Sequence, residues 1–445
     1  MEKLDPKEYL KKYSRTQVDF YRFNGNYGDS LIWHGTMKLL EYLNIEVNYV
    51  NLNSVVKNDV LLIDGGGNFV DYYSEVRDFL KQKHDKYEKV VILPHTINGE
   101  KQKDILSQLG NNCTIFCREE KSYEFVKKYF TGGELYLWHD CAFYNDFSSY
   151  LSHISRGKGV LNVFRLDCES AQKEVPEQNI DISSDGWCKK PLDSLLEIII
   201  NHNEIRTDRL HVAIATALLG KKVLLFSNSY YKNLAVYNHS LKKYPNVIFI
   251  YKFDEELITQ KNISHALSSY KRNELSHFNI LDLFYQISNI NYNIWKLEDI
   301  VRDAQSGYET IVNTKRSIDK ANQYRNDTIS KIDINLSVLL NNAEKDMMYF
   351  VSESPGSLID RLSIFYIRKT EIEKILAIIH DNDDLLEIYG EKLLIVNGQI
   401  KYLESYLKQF IENIKKNKVY FRIFEPIKIY NDPNIKNYIS QLRDD

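Results

Sequence analysis

Between Val18 and about Tyr251 the chain alternates short apolar runs of strand length with helical patterns, and this alternation constrains the fold more than any other feature. The runs VDFYRF, DVLLID, KVVILP, CTIFC, LYLWH, VLNVFR, KVLLF and VIFIY read as strands, and most are followed by polar or glycine-rich turns. Apolar strands interleaved with helices are the pattern of a parallel sheet covered by helices, so the expected class is α/β. The segment FSSYLSHISRGKG, ending in Arg156-Gly-Lys-Gly159, separates five of these strands from three. Two Rossmann-like halves facing across a cleft fit that division, with expected domains 1–150 and 151–268.

After about Phe253 the glycines thin out and helical patterning takes over, with long polar faces such as TKRSIDKANQYRNDTISKIDINL. No comparable strand pattern returns until KVYFRIF, from Lys418 to Phe424, so residues 269–445 read as a separate, mostly α-helical region. Within it, LFYQISNINYNIWKLEDI (Leu283 to Ile300) and LIDRLSIFYIRKTEIEKI (Leu358 to Ile375) overlay at a 75-residue offset. Ile287-Ser288 then aligns with Leu362-Ser363, a weak internal repeat that would divide the region into 272–343 and 348–445.

Length and composition narrow the function. A chain of 445 residues fits two or three domains. A formal net charge of −3 gives no sign of a polyanion-binding surface, so nucleic acid is not an expected partner. Five cysteines, odd in number and without a C-x-x-C pair, suggest neither a disulfide framework nor a zinc site, and the simplest compartment is the cytoplasm. No run approaches the ~18 apolar residues of a membrane span, and MEKLDPKEYLKKYSR lacks the apolar core of a signal peptide. Any membrane contact is then peripheral.

Chemistry-bearing residues cluster after the strands. Gly25-Asn26-Tyr27-Gly28-Asp29-Ser30 follows the first one; glycines there let backbone N–H groups approach a ligand, and Asp29 or Ser30 can cap the following helix. A tight turn plus a cap explains the same residues equally well. Gly65-Gly66-Gly67, followed by Asn68, ends the next strand; it is neither a Walker loop nor G-x-G-x-x-G, but it puts backbone at the ligand crevice of an open sheet. Arg118 and Glu119 follow another strand with Ser122 inside the next helix, a pattern that a surface ion pair would also give. His139-Asp140 is a weak proton-transfer pair. Arg165 is embedded in an apolar run, which is costly unless it faces an anion or a carboxylate.

The densest cluster is IRTDRLHVAIATALLG, from Ile205 to Gly220. Ile205 ends a short extended segment, Thr207 or Asp208 caps, Arg209, Leu210 and His211 fill the first helical turn, and Gly220 closes the helix. Cations at a helix N-terminus oppose the macrodipole, and such a breach of the local rule points to a bound phosphate or carboxylate.

In this order the motifs resemble the polysaccharide pyruvyl transferase family, over roughly residues 16–255: Asn26-Tyr-Gly-Asp29, Gly65-Gly-Gly-Asn68, Leu93-Pro-His-Thr96, Arg118-Glu-Glu120 with Ser122, Arg165, Thr207-Asp-Arg-Leu-His211 and Lys232. The resemblance implies a GT-B-like arrangement of the two halves. It also implies transfer of the enolpyruvyl group of phosphoenolpyruvate onto two hydroxyls of a sugar, as a cyclic ketal, with release of phosphate and without a cofactor. It places Arg165, Arg209, Leu210 and His211 on phosphoenolpyruvate, with His211 as general acid and Asp29 as the weaker candidate for a base. On the acceptor or crevice side it places Asn26, Gly28, Gly65, Gly66, Gly67, Asn68, His95, Arg118 and Lys232. Where the family commonly has glutamine in LPQT, this chain has His95.

The acceptor implied is a nucleotide-, lipid- or polymer-linked glycan. NIWKLEDIVRD, IDKANQYRNDTISKID and SPGSLIDRLSIFYIRKTEIEKI are similar to small helical domains of unknown function near bacterial glycan-assembly enzymes, which allows a peripheral role at the inner face of the cell membrane. Two other functions suit the same residues: a GT-B glycosyltransferase using a nucleotide sugar, and an inactive scaffold of a glycan-assembly system.

Overall fold

The computed structural model describes all residues except 24, 152–156, 168, 172–174, 182–191, 253–259, 269–279, 346, 380–381 and 425–445. The chain forms two compact units, Met1–Lys252 and Phe253–Asp445.

The first unit contains two parallel sheets. One has seven strands: β1 (Gln17–Tyr21), β2 (Glu46–Val50), β3 (Val60–Ile63), β4 (Gly66–Val70), β5 (Lys89–Asn98), β6 (Cys113–Cys117) and β7 (Glu134–Leu137). Their order is β2-β1-β3-β5-β6-β7, and β4 continues past the end of β3 along the same long strand β5. The other has four: β8 (Val160–Val163), β9 (Glu204–Thr207), β10 (Lys222–Phe226) and β11 (Val247–Ile250), in the order β11-β10-β9-β8. Every pairing is parallel, as continuous apolar strands such as the fully buried Cys113–Cys117 require when helices cover both faces.

The expectation of five strands followed by three is thus corrected to seven and four. Glu46–Val50 lies at the sheet's edge and is half-exposed, so its run is too polar to stand out. Gly65-Gly66-Gly67, expected to end a strand, leads into another: Gly66–Val70 is itself a strand, paired to β5 through Gly66, Phe69 and Val70. Ile205 lies inside β9 rather than ending it.

Two helix starts also differ from expectation. Asn26, not Asp29 or Ser30, caps the helix Tyr27–Tyr42: its side chain accepts from Gly28 N at 2.8 Å while Asp29 Oδ2 accepts from Asn26 N at 2.8 Å, a reciprocal capping box. In the helix Leu210–Leu218 the cap position belongs to Arg209, whose backbone is extended (φ −88°, ψ 110°). Thr207 Oγ1 accepts from Arg209 N at 2.9 Å, and Gly220, at φ +67°, ends the helix as expected.

The second unit is helical: Leu281–Arg302, Tyr308–Leu339, Pro355–Ile378 and Asp383–Lys415, with short parallel strands β12 (Tyr349–Val351) and β13 (Val419–Phe421). Ile287-Ser288 and Leu362-Ser363 are all fully buried, each pair about two turns into the first helix of a two-helix succession. Arg325 and Asn291 both converge on the buried Asp360, at 2.8 Å each, tying three of the helices together.

Two close approaches position the elements of the first unit. A Cβ on Gly35 would fall 2.1 Å from the Cys141 carbonyl oxygen, so the helix Tyr27–Tyr42 lies directly against the turn Cys141–Tyr144. Gly35→Ala is expected to lower stability by roughly 1–3 kcal/mol, the usual range for overpacking, read from the midpoint of urea unfolding. An unchanged midpoint would mean that this packing is loose. On β5, His95 is wholly buried: Nδ1 donates to the Leu93 carbonyl at 2.9 Å, and Nε2 lies 3.3 Å from the Asn68 side-chain amide.

Burial, with a smaller contribution from the Arg118 charge, pushes the His95 imidazole down to about 4. An unfolded chain binds a proton there below about pH 6.5 that the folded chain refuses down to about pH 4, so stability is lost as pH falls through that window. His95→Gln is expected to flatten the fall, by up to roughly 3 kcal/mol across the window. Parallel unfolding curves for parent and variant from pH 6.5 to 4 would show that His95 is not held neutral.

Candidate active site

Arg118 leaves the carboxyl end of β6 without any exposure to solvent. Its Nε donates to Thr96 Oγ1 at 2.8 Å and its NH1 to Asp140 Oδ2 at 2.6 Å. Asp140 follows β7, equally buried, and uses its other oxygen to accept from Ala142 N at 2.8 Å, which holds the turn Cys141–Tyr144. His211 arrives from the second sheet's side, in the first turn of Leu210–Leu218, with Nε2 3.3 Å from Asp140 Oδ2 and 3.5 Å from Arg118 NH1. Burial alone would raise the Asp140 carboxyl. The His211 hydrogen bond and the His211 and Arg118 charges outweigh it and hold the group well below the ordinary carboxylate range.

The remaining cations sit on acids of the second sheet's loops. Arg165, two residues past β8, places Nε and NH2 on Asp167 at 2.8 and 2.9 Å and NH1 on Glu169 at 2.9 Å. Arg209 makes a two-pronged pair with Asp181, 2.8 Å at each prong, and lies 3.5 Å from Asp167. Glu169 also receives Lys232 Nζ, and Tyr73 OH at 3.2 Å. Burial, eased by Glu169, brings the Lys232 ammonium down to about 8. The sequence expectation that Arg165 meets an anion or a carboxylate is met here by carboxylates.

One pocket collects most of the residues expected from sequence. Asn26, Gly28 and Asp29 line it from the first helix start, Gly67 and Asn68 from β4, and Arg118 and Lys232 from opposite sheets. Arg165, Arg209, Leu210 and His211 line it as well, with Tyr73 and Glu169. Arg209 and His211, two positions apart, would diverge on a regular helix; they share the pocket because Arg209 is extended and only His211 is helical. Gly67 is needed for close approach, since a Cβ there would fall 2.8 Å from Arg118 NH2. Gly65, Gly66 and His95 lie off the pocket wall: a Gly66 Cβ would meet the Phe23 ring at 2.6 Å, and His95 is wholly buried beside the Phe23 and Phe69 rings.

Arg118 and Glu119 are not a surface ion pair. Both are wholly buried, Glu119 capping the helix Glu120–Tyr129 through Ser122 N at 3.0 Å. His139 and Asp140 do not act together, because successive residues of an extended segment point apart: His139 Nδ1 goes to Ser240 Oγ at 2.8 Å, and Asp140 goes to the site. Sequence reasoning passed over Tyr73, Asp167, Glu169 and Asp181. The Arg165-x-Asp167-x-Glu169 spacing was the one local signal for two of them.

Among the described residues no cluster of three or more histidine, cysteine or acidic side chains is suited to a metal, and no helix is long and apolar enough to cross a membrane. The described cysteines, Cys113, Cys117 and Cys141, are free and buried.

Residues 281–423 match the model of a family described as a protein of unknown function, and residues 26–230 match that of the polysaccharide pyruvyl transferases. EpsO of Bacillus subtilis (strain 168), a candidate pyruvyl transferase, is 24% identical over 297 residues, covering 55% of this chain and 90% of that protein. Pyruvyl transferase 1 of Schizosaccharomyces pombe (strain 972) is 24% identical over 289 residues, covering 53% and 71%. A crystal structure of an uncharacterized protein from Klebsiella pneumoniae subsp. pneumoniae is 31% identical, covering 55% of this chain and 97% of that one, with a TM-score of 0.48. Through residues 26–230, which hold the pocket from its first helix cap to the loop before Lys232, the chain belongs to the polysaccharide pyruvyl transferase family.

Proposed function

We propose that the chain moves the enolpyruvyl group of phosphoenolpyruvate onto two hydroxyls of a glycan, forming a cyclic ketal and releasing phosphate. The observation that carries this reading is the convergence of Arg118, Arg165, Arg209 and Lys232 on one pocket with a histidine on its wall. The donor bears a carboxylate and a phosphate close together, and planar guanidinium forks suit both. Asp167 bridges Arg165 and Arg209 at 2.8 and 3.5 Å and is the most exposed of their acids, so an incoming anion exchanges with a carboxylate already in place. The guanidinium groups are held ready without being stranded unpaired.

Proton accounting fits one histidine. His211 gives a proton to the methylene carbon, the C=C pair becomes the new C–H bond, and the first sugar hydroxyl attacks the adjacent carbon and returns its proton to the imidazole. The second hydroxyl displaces phosphate, which leaves carrying that hydroxyl's proton. Asp29 lines the pocket but spends Oδ2 on the Asn26 amide, which makes it a poor mobile base.

Incubating the protein with phosphoenolpyruvate and a panel of nucleotide-linked, lipid-linked and free glycans should release phosphate and add a pyruvyl ketal mass. Stabilisation by nucleotide sugars but not by phosphoenolpyruvate in a thermal-shift series would favour glycosyl transfer instead. Arg165→Ala and Arg209→Ala are each expected to lower kcat/KM for phosphoenolpyruvate by about 10- to 150-fold while the protein stays folded by circular dichroism, the worth of one charged hydrogen bond. Unchanged kinetics in both would remove the donor assignment. His211→Gln should still bind phosphoenolpyruvate in a calorimetric titration while kcat falls roughly 10²- to 10⁴-fold. Poor binding with normal turnover at saturating donor would make His211 a binding residue alone.

A further inference from the structure

We infer that Asp140 fixes the tautomer of His211, holding the ring proton on Nε2 so that Nδ1 is the nitrogen that exchanges a proton with the donor. This rests on the pyruvyl-transfer reading for its last step; the tautomer itself does not.

Two groups compete for Nε2. Asp140 Oδ2, an acceptor, is 3.3 Å away, and Arg118 NH1, a donor with no capacity to accept, is 3.5 Å away. If Nε2 carried only a lone pair, it would point that pair at a buried carboxylate oxygen in return for a longer bond from a guanidinium already committed to the same carboxylate at 2.6 Å. With the proton on Nε2, the bond to Asp140 is charge-assisted. Asp140 cannot turn away, because its other oxygen holds Ala142 N at 2.8 Å and the residue has 1% exposure.

The opposite edge of the ring, with Nδ1, lies on the side of the first helix start, whose residues line the same pocket as His211. A Cβ on Gly28 would fall 2.5 Å from Nδ1, so this edge lies against bare backbone at the start of the helix Tyr27–Tyr42, where Asn26, Gly28 and Asp29 line the pocket. The charged groups placed against the ring are Asp140 and Arg118, both on the Nε2 side, while Asp29 lines the same pocket with its carboxylate on the Asn26 amide.

In the transfer step the Nδ1–H bond breaks, its proton forms the new C–H bond with the C=C electron pair, and the imidazole remains neutral with Nε2–H on Asp140. Nδ1 then takes the proton of the attacking hydroxyl and is restored. Asp140 is a positioning residue: it touches neither donor nor acceptor.

Long-range ¹H–¹⁵N spectra of the full chain labelled in its histidines, with His211→Gln to assign the signal, should show the neutral His211 ring protonated on Nε2. A ring protonated on Nδ1, or an even mixture, overturns the proposal, and this readout needs neither turnover nor a second variant. Asp140→Asn should convert the signal to a mixture and lower kcat by about 100-fold or more, while the calorimetric Kd for phosphoenolpyruvate changes less than about threefold. Thr96→Val loosens Arg118 without touching Asp140 and should leave the tautomer as in the parent; a shift there would assign the effect to Arg118. Absence of phosphate release from phosphoenolpyruvate by the parent would refute the pyruvyl-transfer reading and leave the tautomer result standing.

Discussion

A guanidinium with no access to water has to be neutralised where it lies, and the structure around Arg118 follows from that requirement. Isolated burial of such a charge is prohibitive, and breaking a buried pair costs about 3–5 kcal/mol. Arg118 meets the requirement with Thr96 from β5 and Asp140 from the end of β7, so three adjacent strands of the first sheet are tied together at their carboxyl ends. Asp140 in turn anchors the turn on which the helix Tyr27–Tyr42 rests through Gly35, and it meets His211 from the second sheet's side. One ion pair thus sets strand ends, a helix position and the orientation of the histidine.

The pocket as a whole is close to neutral. Arg165, Arg209 and Lys232 are paired with Asp167, Asp181 and Glu169, so the fold does not store a cluster of bare positive charge. Such a cluster would repel itself at low dielectric and destabilise the chain. The acids keep the cations oriented, and Asp167, shared between two arginines and 42% exposed at its side chain, is the least buried of them. The depressed Lys232 shows the residual cost of this arrangement: burial lowers it most, two guanidiniums nearby add to that, and Glu169 offsets the sum only in part.

The helical unit solves a comparable problem differently. Its long polar-faced helices bury apolar stripes such as Leu403, Leu407, Phe410 and Ile414, and the buried carboxylate of Asp360 is satisfied by Arg325 and Asn291 from two other helices. Buried, fully partnered polar groups of this kind favour one register of helices over its neighbours, since any slip would strand them.

Much of the fold was legible along the sequence because its signals are local. Continuous apolar runs marked the buried strands, the loss of glycine and alternation marked the helical region, and clusters after strands marked the carboxyl edge where pockets form. The strands absent from the apolar runs are β2 and β4, whose residues carry weak local signals, a half-exposed edge and a glycine run, and β9, a four-residue strand legible only as an extended lead into its helix. Arg118, Arg165, Arg209, His211 and Lys232 could be singled out by type and position, but not their partners. Arg118 finds Asp140 across 22 residues, Arg209 finds Asp181 across 28, Lys232 finds Glu169 across 63, and His211 reaches Asp140 across 71. The sequence alone determined which residues stand at strand ends, because strand and turn propensities act within a few residues. Which of them share a pocket, which acid neutralises which cation, and that His139 turns away while Asp140 turns in were decided only by the tertiary structure, because burial and charge pairing act between residues far apart along the chain.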